Sequence, residues 1–320
     1  MMAMRRSLAT VAAAQRAGLF DRVRAAPFTI QSVAEALSIT LRAAEAMVAV
    51  LASLKLAEAQ DGGAFLLSEE AQVYLISDSP FFRQSLLDQD DLPRYQQTKA
   101  ALMSEDAQVV TPFAVNLDNM QPAEIEGFVD QMHTFTLPAA SAVGALGAFA
   151  DVSRLLDVGG GSGSLSIGVA SRNPSISVTL MDLAPVCAIA RRHIAEYGLS
   201  ASVQTLPGSM FDPLPRGFDG MMFGNVFHDW SLETCRDLAQ RSLEALEPGG
   251  TIFLHEMLLW PKKDGPLAVA AFSMDMLVHE LGKQFTQEEL ETLLQDVGFV
   301  DVYTSPTFGH YSMVVGKKPQ

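Results

Sequence analysis

The sequence predicts an α/β protein: a mostly parallel sheet covered by helices fills the C-terminal half, and a helical winged-helix module precedes it. Three observations carry this. Seven strand-like segments alternate with helix-length segments between residues 154 and 316. The first of these strands runs into a dense glycine turn. Upstream, residues 29–70 read as helix, turn, helix and hairpin. A chain of 320 residues exceeds the usual single domain, and 48% apolar content can bury a sizeable core, so more than one domain is expected.

The N-terminal elements follow from local signals. Met1-Met-Ala-Met-Arg-Arg6 and Ser7-Leu-Ala-Thr-Val-Ala-Ala-Ala14 faintly resemble a secretory leader. A helix is expected instead, because the apolar run is short and alanine-rich and Gln15-Arg16 interrupt it without a convincing cleavage site. Thr29 marks a helix start, Val33 to Leu37 is apolar-periodic, Ser38 to Thr40 turns, and Leu41 to Leu54 forms a second helix. Leu56–Ala59 and Ala64–Leu67 flank Asp61-Gly62-Gly63 as a hairpin, and Ser68 with Glu69 and Glu70 opens another helix. The second helix carries only Arg42 and Lys55 beside Glu45 and the apolar Met47, Val48, Val50 and Leu51, which is poor for phosphate contacts. Oligomerisation or a substrate lid is therefore expected of this module rather than DNA binding. Phe81 to Met103 contains a further helical stretch. Gln121-Pro122 precedes a helix in which Phe128, Val129, Met132 and Phe135 recur at helical spacing, the usual mark of core packing. Because this segment leads into the glycine turn, Met132, His133 and Phe135 are also candidates to line a substrate cavity, although His133 equally suits a structural role.

Composition narrows the partners. A net charge of −15 opposes nonspecific attraction to nucleic acid or anionic membrane, which leaves a small-molecule partner. Cys187 and Cys235 are too few for a disulfide framework, so a reducing cytoplasm is expected. No stretch approaches the roughly 18 apolar residues of a membrane span, and no cluster has metal-ligand spacing.

The richest stretch is Arg154-Leu-Leu-Asp-Val-Gly-Gly-Gly-Ser-Gly-Ser164: a buried strand, an acid and a glycine turn. Its spacing, Asp157-x-Gly159-x-Gly161-x-Gly163, departs from the G-x-G-x-x-G of dinucleotide binders because Ser164 stands where the third glycine belongs. A dinucleotide needs a helix N-terminus aimed at its pyrophosphate. S-adenosylmethionine has no phosphate and offers an ammonium, a carboxylate and a sulfonium, for which Asp157 is a sensible partner. Gly159, Gly160, Gly161 and Gly163 let the backbone pass close to it. Asp182 ends the next strand, 19 residues after Gly163, and is placed to accept ribose hydroxyls, with Leu183 beside it.

The order after this turn is helix 164–172, strand 176–181, helix 185–197, strand 202–206, strand 219–224, helix 231–246, strand 251–258, helix 286–297, strand 299–303 and strand 311–316. Alternation at these lengths means a parallel sheet. Ligands in such sheets lie beyond the carboxyl ends of the strands, where Gly208-Ser-Met-Phe211, Asn225-Val-Phe-His-Asp-Trp230 and His255-Glu256 fall. His255 and Glu256 alternate on one strand and should point opposite ways.

Together, Leu156-Asp-Val-Gly-Gly-Gly-Ser-Gly163, His228-Asp-Trp230, Leu246-Glu-Pro-Gly-Gly-Thr251, Glu256 and Gly298-Phe299 resemble the S-adenosylmethionine-dependent O-methyltransferases of plant caffeate and bacterial natural-product type, over nearly the whole chain. The resemblance implies a Rossmann-like methyltransferase domain whose seven-stranded sheet has one antiparallel last strand, and an N-terminal winged-helix domain that forms a homodimer. It divides the chain into residues 1–100 for dimerisation, 101–150 as a helical linker lining the substrate pocket, and 151–320 for cofactor binding and methyl transfer. It makes His228 the general base that removes the acceptor's hydroxyl proton, with Glu256 orienting it. An imidazole, with an ordinary pKa near 6.5, suits that task. Ser209 and Met210 would hold the adenine, Asn225 would complete the cofactor site, and Asp229, Met274 and Gln284 would border the substrate.

Three positions depart from the family pattern. Ser209 stands where an aspartate often accepts from the adenine amino group, Gly224 stands where a lysine or arginine precedes the histidine, and Gln284 replaces a second orienting glutamate. The last suggests an acceptor that needs no deprotonation, such as a thioether acid of the methylthio-hydroxybutyrate kind on the route to dimethylsulfoniopropionate, methylated by alignment alone. A cofactor-sensing regulator and a non-methylating family member are the remaining alternatives.

Overall fold

The computed structural model describes residues 2–24, 26–82, 93–103 and 116–320. Contacts divide the chain into two compact units: Met1–Phe113 with Leu258–Thr286, and Ala114–Met257 with Gln287–Gln320.

The first unit is helical, with a small sheet. Its first helix, Met2–Arg16, is followed by the short Leu19–Val23. Strand β1 (Phe28–Thr29) leads into helix Ile30–Leu37, which Thr29 caps reciprocally with Ser32. Ser38 turns the chain at φ 53°, and Thr40 caps helix Leu41–Ser53 through the Ala43 amide. Strands β2 (Ala57–Ala59) and β3 (Ala64–Leu67) pair antiparallel around Asp61–Gly63, and β1 adds on the far side of β3 in the order β1-β3-β2. Ser68 then caps helix Glu69–Tyr74. The two-helix and hairpin pattern of the sequence is therefore present, with β1 as an addition. Of the helical stretch expected over Phe81–Met103, Pro93–Met103 is a helix and residues 83–92 lie outside the described residues.

Residues 258–286, distant in sequence, complete this unit. Helix Leu267–His279 packs against helices Met2–Arg16 and Leu41–Ser53. Arg6, fully buried, donates from Nε to Asp275 Oδ1 at 2.8 Å and from Nη1 to Thr98 Oγ1 at 2.9 Å. Arg42 Nη1 donates to the carbonyls of Glu280 (2.9 Å) and Gly282 (2.7 Å), and burial brings its pKa down to about 10. The one cation within that second helix is thus spent on backbone carbonyls of its own unit.

The second unit is a seven-stranded sheet in the order β6-β5-β4-β7-β8-β10-β9. Strands β4 (Arg154–Val158), β5 (Ser177–Asp182), β6 (Val203–Pro207), β7 (Gly220–Gly224) and β8 (Thr251–Met257) pair in parallel. Strand β9 (Val300–Pro306) turns back into β10 (Tyr311–Lys317), which inserts antiparallel between β8 and β9. Helices Pro122–Gly144, Ser164–Arg172, Ala184–Glu196, Leu232–Ala245 and Gln287–Val297 accompany the sheet. The order reverses between β4 and β7, so the carboxyl ends of those strands open a ligand crevice at the switch point. Helices Pro122–Gly144 and Ser164–Arg172 meet backbone to backbone, because a Cβ on Gly168 would lie 2.1 Å from the Ala140 carbonyl oxygen. Core packing does not extend along the whole apolar stripe of Pro122–Gly144: Val129 is buried, whereas Phe135 is 53% exposed because its position faces away from that seam.

His255 on β8 sits in the sheet core, stacked on Tyr311 at 4.9 Å, with Nε2 2.9 Å from Thr307 Oγ1. Burial lowers its pKa from 6.5 to about 4. The unfolded chain therefore takes up this proton below pH 6.5 while the folded one does not until about pH 4, so its contribution to stability is complete above 6.5 and is lost as pH falls through that window. The shift is worth at most about 3 kcal/mol. Urea unfolding at pH 7 and 4.5 should show wild type losing more stability than His255→Gln. Equal losses would place the acid sensitivity elsewhere.

Among the described residues, no single helix is long and apolar enough to cross a membrane.

Candidate active site

The glycine turn follows β4 directly. Gly159, Gly161 and Gly163 have φ of 66°, 54° and 83°, and Gly163 starts helix Ser164–Arg172. Asp182, at the end of β5, holds the turn: Oδ2 accepts from the Gly161 amide at 2.8 Å and Oδ1 from the Leu183 amide at 2.7 Å. Each oxygen keeps a lone pair for a further donor. Asp157 is buried beneath Gly160 and accepts from Ser166 Oγ at 2.6 Å; burial pushes its pKa up to about 7. A Cβ at Gly160 would lie 2.5 Å from Leu180, but at Gly161 nothing among the described residues lies within 4 Å of that position. The turn is thus closed on its inner side and open on the other. Gly208-Ser-Met-Phe211 comes alongside through the Gly208 amide, which donates to the Asp182 carbonyl at 2.9 Å. Ser209 Oγ accepts from the Phe211 amide at 3.2 Å.

His133 does not stand apart from this turn. Its Nδ1 is 2.9 Å from Ser164 Oγ and 3.1 Å from Ser162 Oγ, and its ring lies 4.2 Å from that of His193. Burial and His193 lower its pKa. His193 in turn meets the Ser162 carbonyl at 3.1 Å and Asp130 at 3.0 Å. Asp130 also accepts from Arg192 at 2.7 Å. Helix Pro122–Gly144 is therefore tied to the glycine turn through two histidines. The sequence offered no signal for His193, since its partners lie 31 and 63 residues away.

The second constellation sits past the ends of β7 and β8. Asn225 adopts φ 55°, and its amide donates to the His255 carbonyl at 3.0 Å. This left-handed residue reverses the chain so that the next two amides, Val226 and Phe227, both donate to Glu256 Oε1, at 3.1 and 2.9 Å. Glu256 Oε2 lies 2.8 Å from His228 Nδ1, and Asp229 Oδ1 lies 3.2 Å from His228 Nε2. Burial disfavours the charged imidazole, but Glu256 first and Asp229 second outweigh it and hold the His228 pKa well above 6.5. Cys235 feels the same two carboxylates and burial, which raise its pKa. Tyr311, hydrogen-bonded to Asn225, is pushed up to about 12 by burial and Glu256. Trp230 is buried and packs edge-on against Phe211 at 4.8 Å.

The residues expected to act together thus fall into two groups in one unit. Asp157, Gly159, Gly160, Gly161, Gly163, Asp182, Leu183, Ser209 and Met210 gather around β4, β5 and β6; Asn225, His228, Asp229 and Glu256 gather past β7 and β8. Met132 is half-buried on helix Pro122–Gly144. Met274 and Gln284 belong to the first unit and are fully buried there; the Gln284 amide nitrogen of the backbone donates to Ser273 Oγ at 3.0 Å, and its side-chain amide has no partner among the described residues. The open side of the glycine turn at Gly161 and the buried Asn225 Oδ1, without a hydrogen-bond partner among the described residues, suit a polar ligand such as S-adenosylmethionine.

Comparison with known proteins gives the family. Residues 105–300 match the family described as O-methyltransferase domain. The chain is 30% identical over 299 residues to 3-hydroxy-5-methyl-1-naphthoate 3-O-methyltransferase of Streptomyces sahachiroi, covering 92% of this chain and 86% of that protein. It is 29% identical over 322 residues to human acetylserotonin O-methyltransferase, covering 96% and 92%. In fold it is similar to an O-methyltransferase family 2 protein of Planctomyces limnophilus in complex with apigenin, with a TM-score of 0.87 at 22% identity over 99% of this chain and 95% of the other. Human N-acetylserotonin methyltransferase, solved with S-adenosylmethionine, has the same fold at a TM-score of 0.63. The family model over residues 105–300 and the 30% identity across 92% of the chain lead to one conclusion: the chain belongs to the S-adenosylmethionine-dependent O-methyltransferases.

Proposed function

We propose that this methyltransferase acts on the hydroxyl of a small aromatic acceptor, with His228 as general base and Glu256 as its orienting partner. The observation that carries this is the Glu256 carboxylate, held on one oxygen by two consecutive backbone amides and presenting the other to His228 Nδ1 at 2.8 Å. A carboxylate so anchored fixes the ring orientation and stabilises the imidazolium that forms when Nε2 takes a proton. The aromatic class is supported by the names of similar proteins, which act on a hydroxynaphthoate and on acetylserotonin.

Bound S-adenosylmethionine supplies an electrophilic methyl group on its sulfonium. The chain's part is to hold and align. Asp182 and the glycine turn would hold the ribose and methionine portions, with Asp157 supporting the turn from beneath and Met210 beside the adenine. The first unit would pair two copies of the chain: Met4 and Leu8 lie one turn apart on its first helix and are 71% and 42% exposed.

A second reading, S-methylation of a thioether acid, keeps one observation in its favour: the side chain of Gln284 carries no charge where the family pattern has a glutamate. Incubation with methyl-labelled S-adenosylmethionine and a panel of phenols, hydroxy acids and thioether acids separates the two. Label is expected on a phenolic oxygen. Label found only on thioether acids would overturn the hydroxyl assignment.

A further inference from the structure

We propose that Asp229 closes the reactive nitrogen of His228 between turnovers and carries its proton to solvent when the acceptor hydroxyl takes its place. This rests on His228 acting as the base.

The two ring nitrogens have different neighbours. Nδ1 faces Glu256 Oε2 at 2.8 Å, and Glu256 is immobilised through Val226 and Phe227. Nε2 is the nitrogen left to meet an acceptor, and it faces Asp229 Oδ1 at 3.2 Å. Both neighbours are carboxylates, which accept hydrogen bonds and cannot donate them when ionised. The arrangement therefore favours a ring carrying both protons, and an imidazolium is not a base. The acceptor hydroxyl must also occupy the position that Asp229 holds.

Exposure distinguishes the three groups. The side chains of His228 and Glu256 are 5% and 1% exposed, whereas Asp229 is 32% exposed. Of these two carboxylates, Asp229 is the one that combines a contact with Nε2 and a route to water. The other titratable groups near the ring in this unit, Cys235 on helix Leu232–Ala245 and Tyr311 on β10, are both shifted upward, stay protonated at neutral pH and cannot take the proton.

The proton count closes. As the acceptor enters, the Nε2–H bond breaks, a proton bonds to Asp229 Oδ1, and the neutral acid turns outward and releases the proton to water. Nε2 now has a free electron pair. It takes the proton of the acceptor hydroxyl as the oxygen–methyl bond forms and the sulfur–methyl bond breaks. His228 ends the turnover protonated, ready for Asp229 to return. One proton is released per methyl transferred.

The test is the pH dependence of kcat/KM between pH 5.5 and 9 for wild type, Asp229→Asn, Asp229→Ala and His228→Ala, with folding checked by thermal melting. Wild type should lose about tenfold per pH unit below an inflection well above the ordinary imidazole value. Both Asp229 variants should move that inflection down by about one pH unit, so that below it the base is neutral about ten times more often. Their alkaline plateaus should fall, because the carrier is gone. An inflection that stays in place in both variants while His228→Ala is inactive would overturn the role of Asp229 and leave the base intact. Full activity in His228→Ala would overturn the base itself, and this proposal with it. A measurement on unaltered protein gives an independent check: nitrogen NMR of the His228 ring should show both nitrogens protonated at pH 7 in the free enzyme and Nε2 unprotonated with an unreactive methoxy analogue of the acceptor bound. A singly protonated ring in the free enzyme would overturn the proposal.

Discussion

Replacing His228 with alanine is expected to lower kcat for methyl transfer by about a thousandfold while leaving affinity for S-adenosylmethionine within about twofold of wild type. The magnitude follows from what the ring supplies. A phenol must lose its proton as the methyl group arrives, and positioned general bases contribute roughly 10²- to 10⁴-fold. The upper half of that range is expected because Glu256, held by two backbone amides, spares the ring any reorientation. Binding should survive because His228 lies past β7, whereas the glycine turn and Asp182 lie past β4 and β5. Single-turnover rates with labelled cofactor and calorimetric titration of S-adenosylhomocysteine measure the two quantities separately. A loss of less than tenfold in kcat would mean that the acceptor is nucleophilic without a base, which is the thioether reading. A matching loss of cofactor affinity would mean that the ring is structural.

The second large effect is on stability. Gly168→Ala is expected to destabilise the protein by about 3 kcal/mol, a fall in Tm of roughly 10 °C for a unit of this size. Alanine is the better helix former by about 1 kcal/mol, so intrinsic propensity predicts a gain. Packing decides otherwise, because the new methyl would sit 2.1 Å from the Ala140 carbonyl oxygen and 2.8 Å from its Cβ. A backbone atom cannot swing aside as a side-chain tip can. The two helices must separate, and with them the bond from His133 to Ser162 and Ser164 that joins helix Pro122–Gly144 to the glycine turn. Gly127→Ala on that same helix is the control: nothing among the described residues lies within 4 Å of its Cβ position, and it should gain about 0.5–1 kcal/mol. Equal Tm values for the two variants would show that the close approach relaxes at no cost.

Much of the second unit was legible residue by residue. Strand, glycine turn and helix around Asp157 to Arg172 fall where the pattern puts them, since strand propensity, turn geometry and the helix start are all written within about twenty residues. The helix starts at Thr29 and Ser68 were equally local, and Thr40, read as the end of a turn, also caps the helix that follows it. Helix Leu267–His279 was not legible: its sequence is apolar on every side, so it carries no amphipathic period. In the first unit it packs on two helices far from it in sequence, and an ion pair joins Arg6 to Asp275, 269 residues apart.

The same distinction holds in the site. By itself the sequence determined where the glycine turn, His228 and Glu256 fall, because each is a residue type at a fixed spacing from a strand end, and such spacing is set by backbone geometry alone. The tertiary structure decided what those residues touch. Asp182 spends hydrogen bonds on the turn that it faces, His133 braces that turn, and Phe135 lies exposed. Asp229 meets His228 as its chain neighbour, but Glu256 closes on the opposite nitrogen because β7 and β8 lie side by side and Asn225 turns the chain at the end of β7. A one-dimensional pattern records periods and intervals, whereas the charge state of a buried imidazole depends on which acceptors surround it in three dimensions.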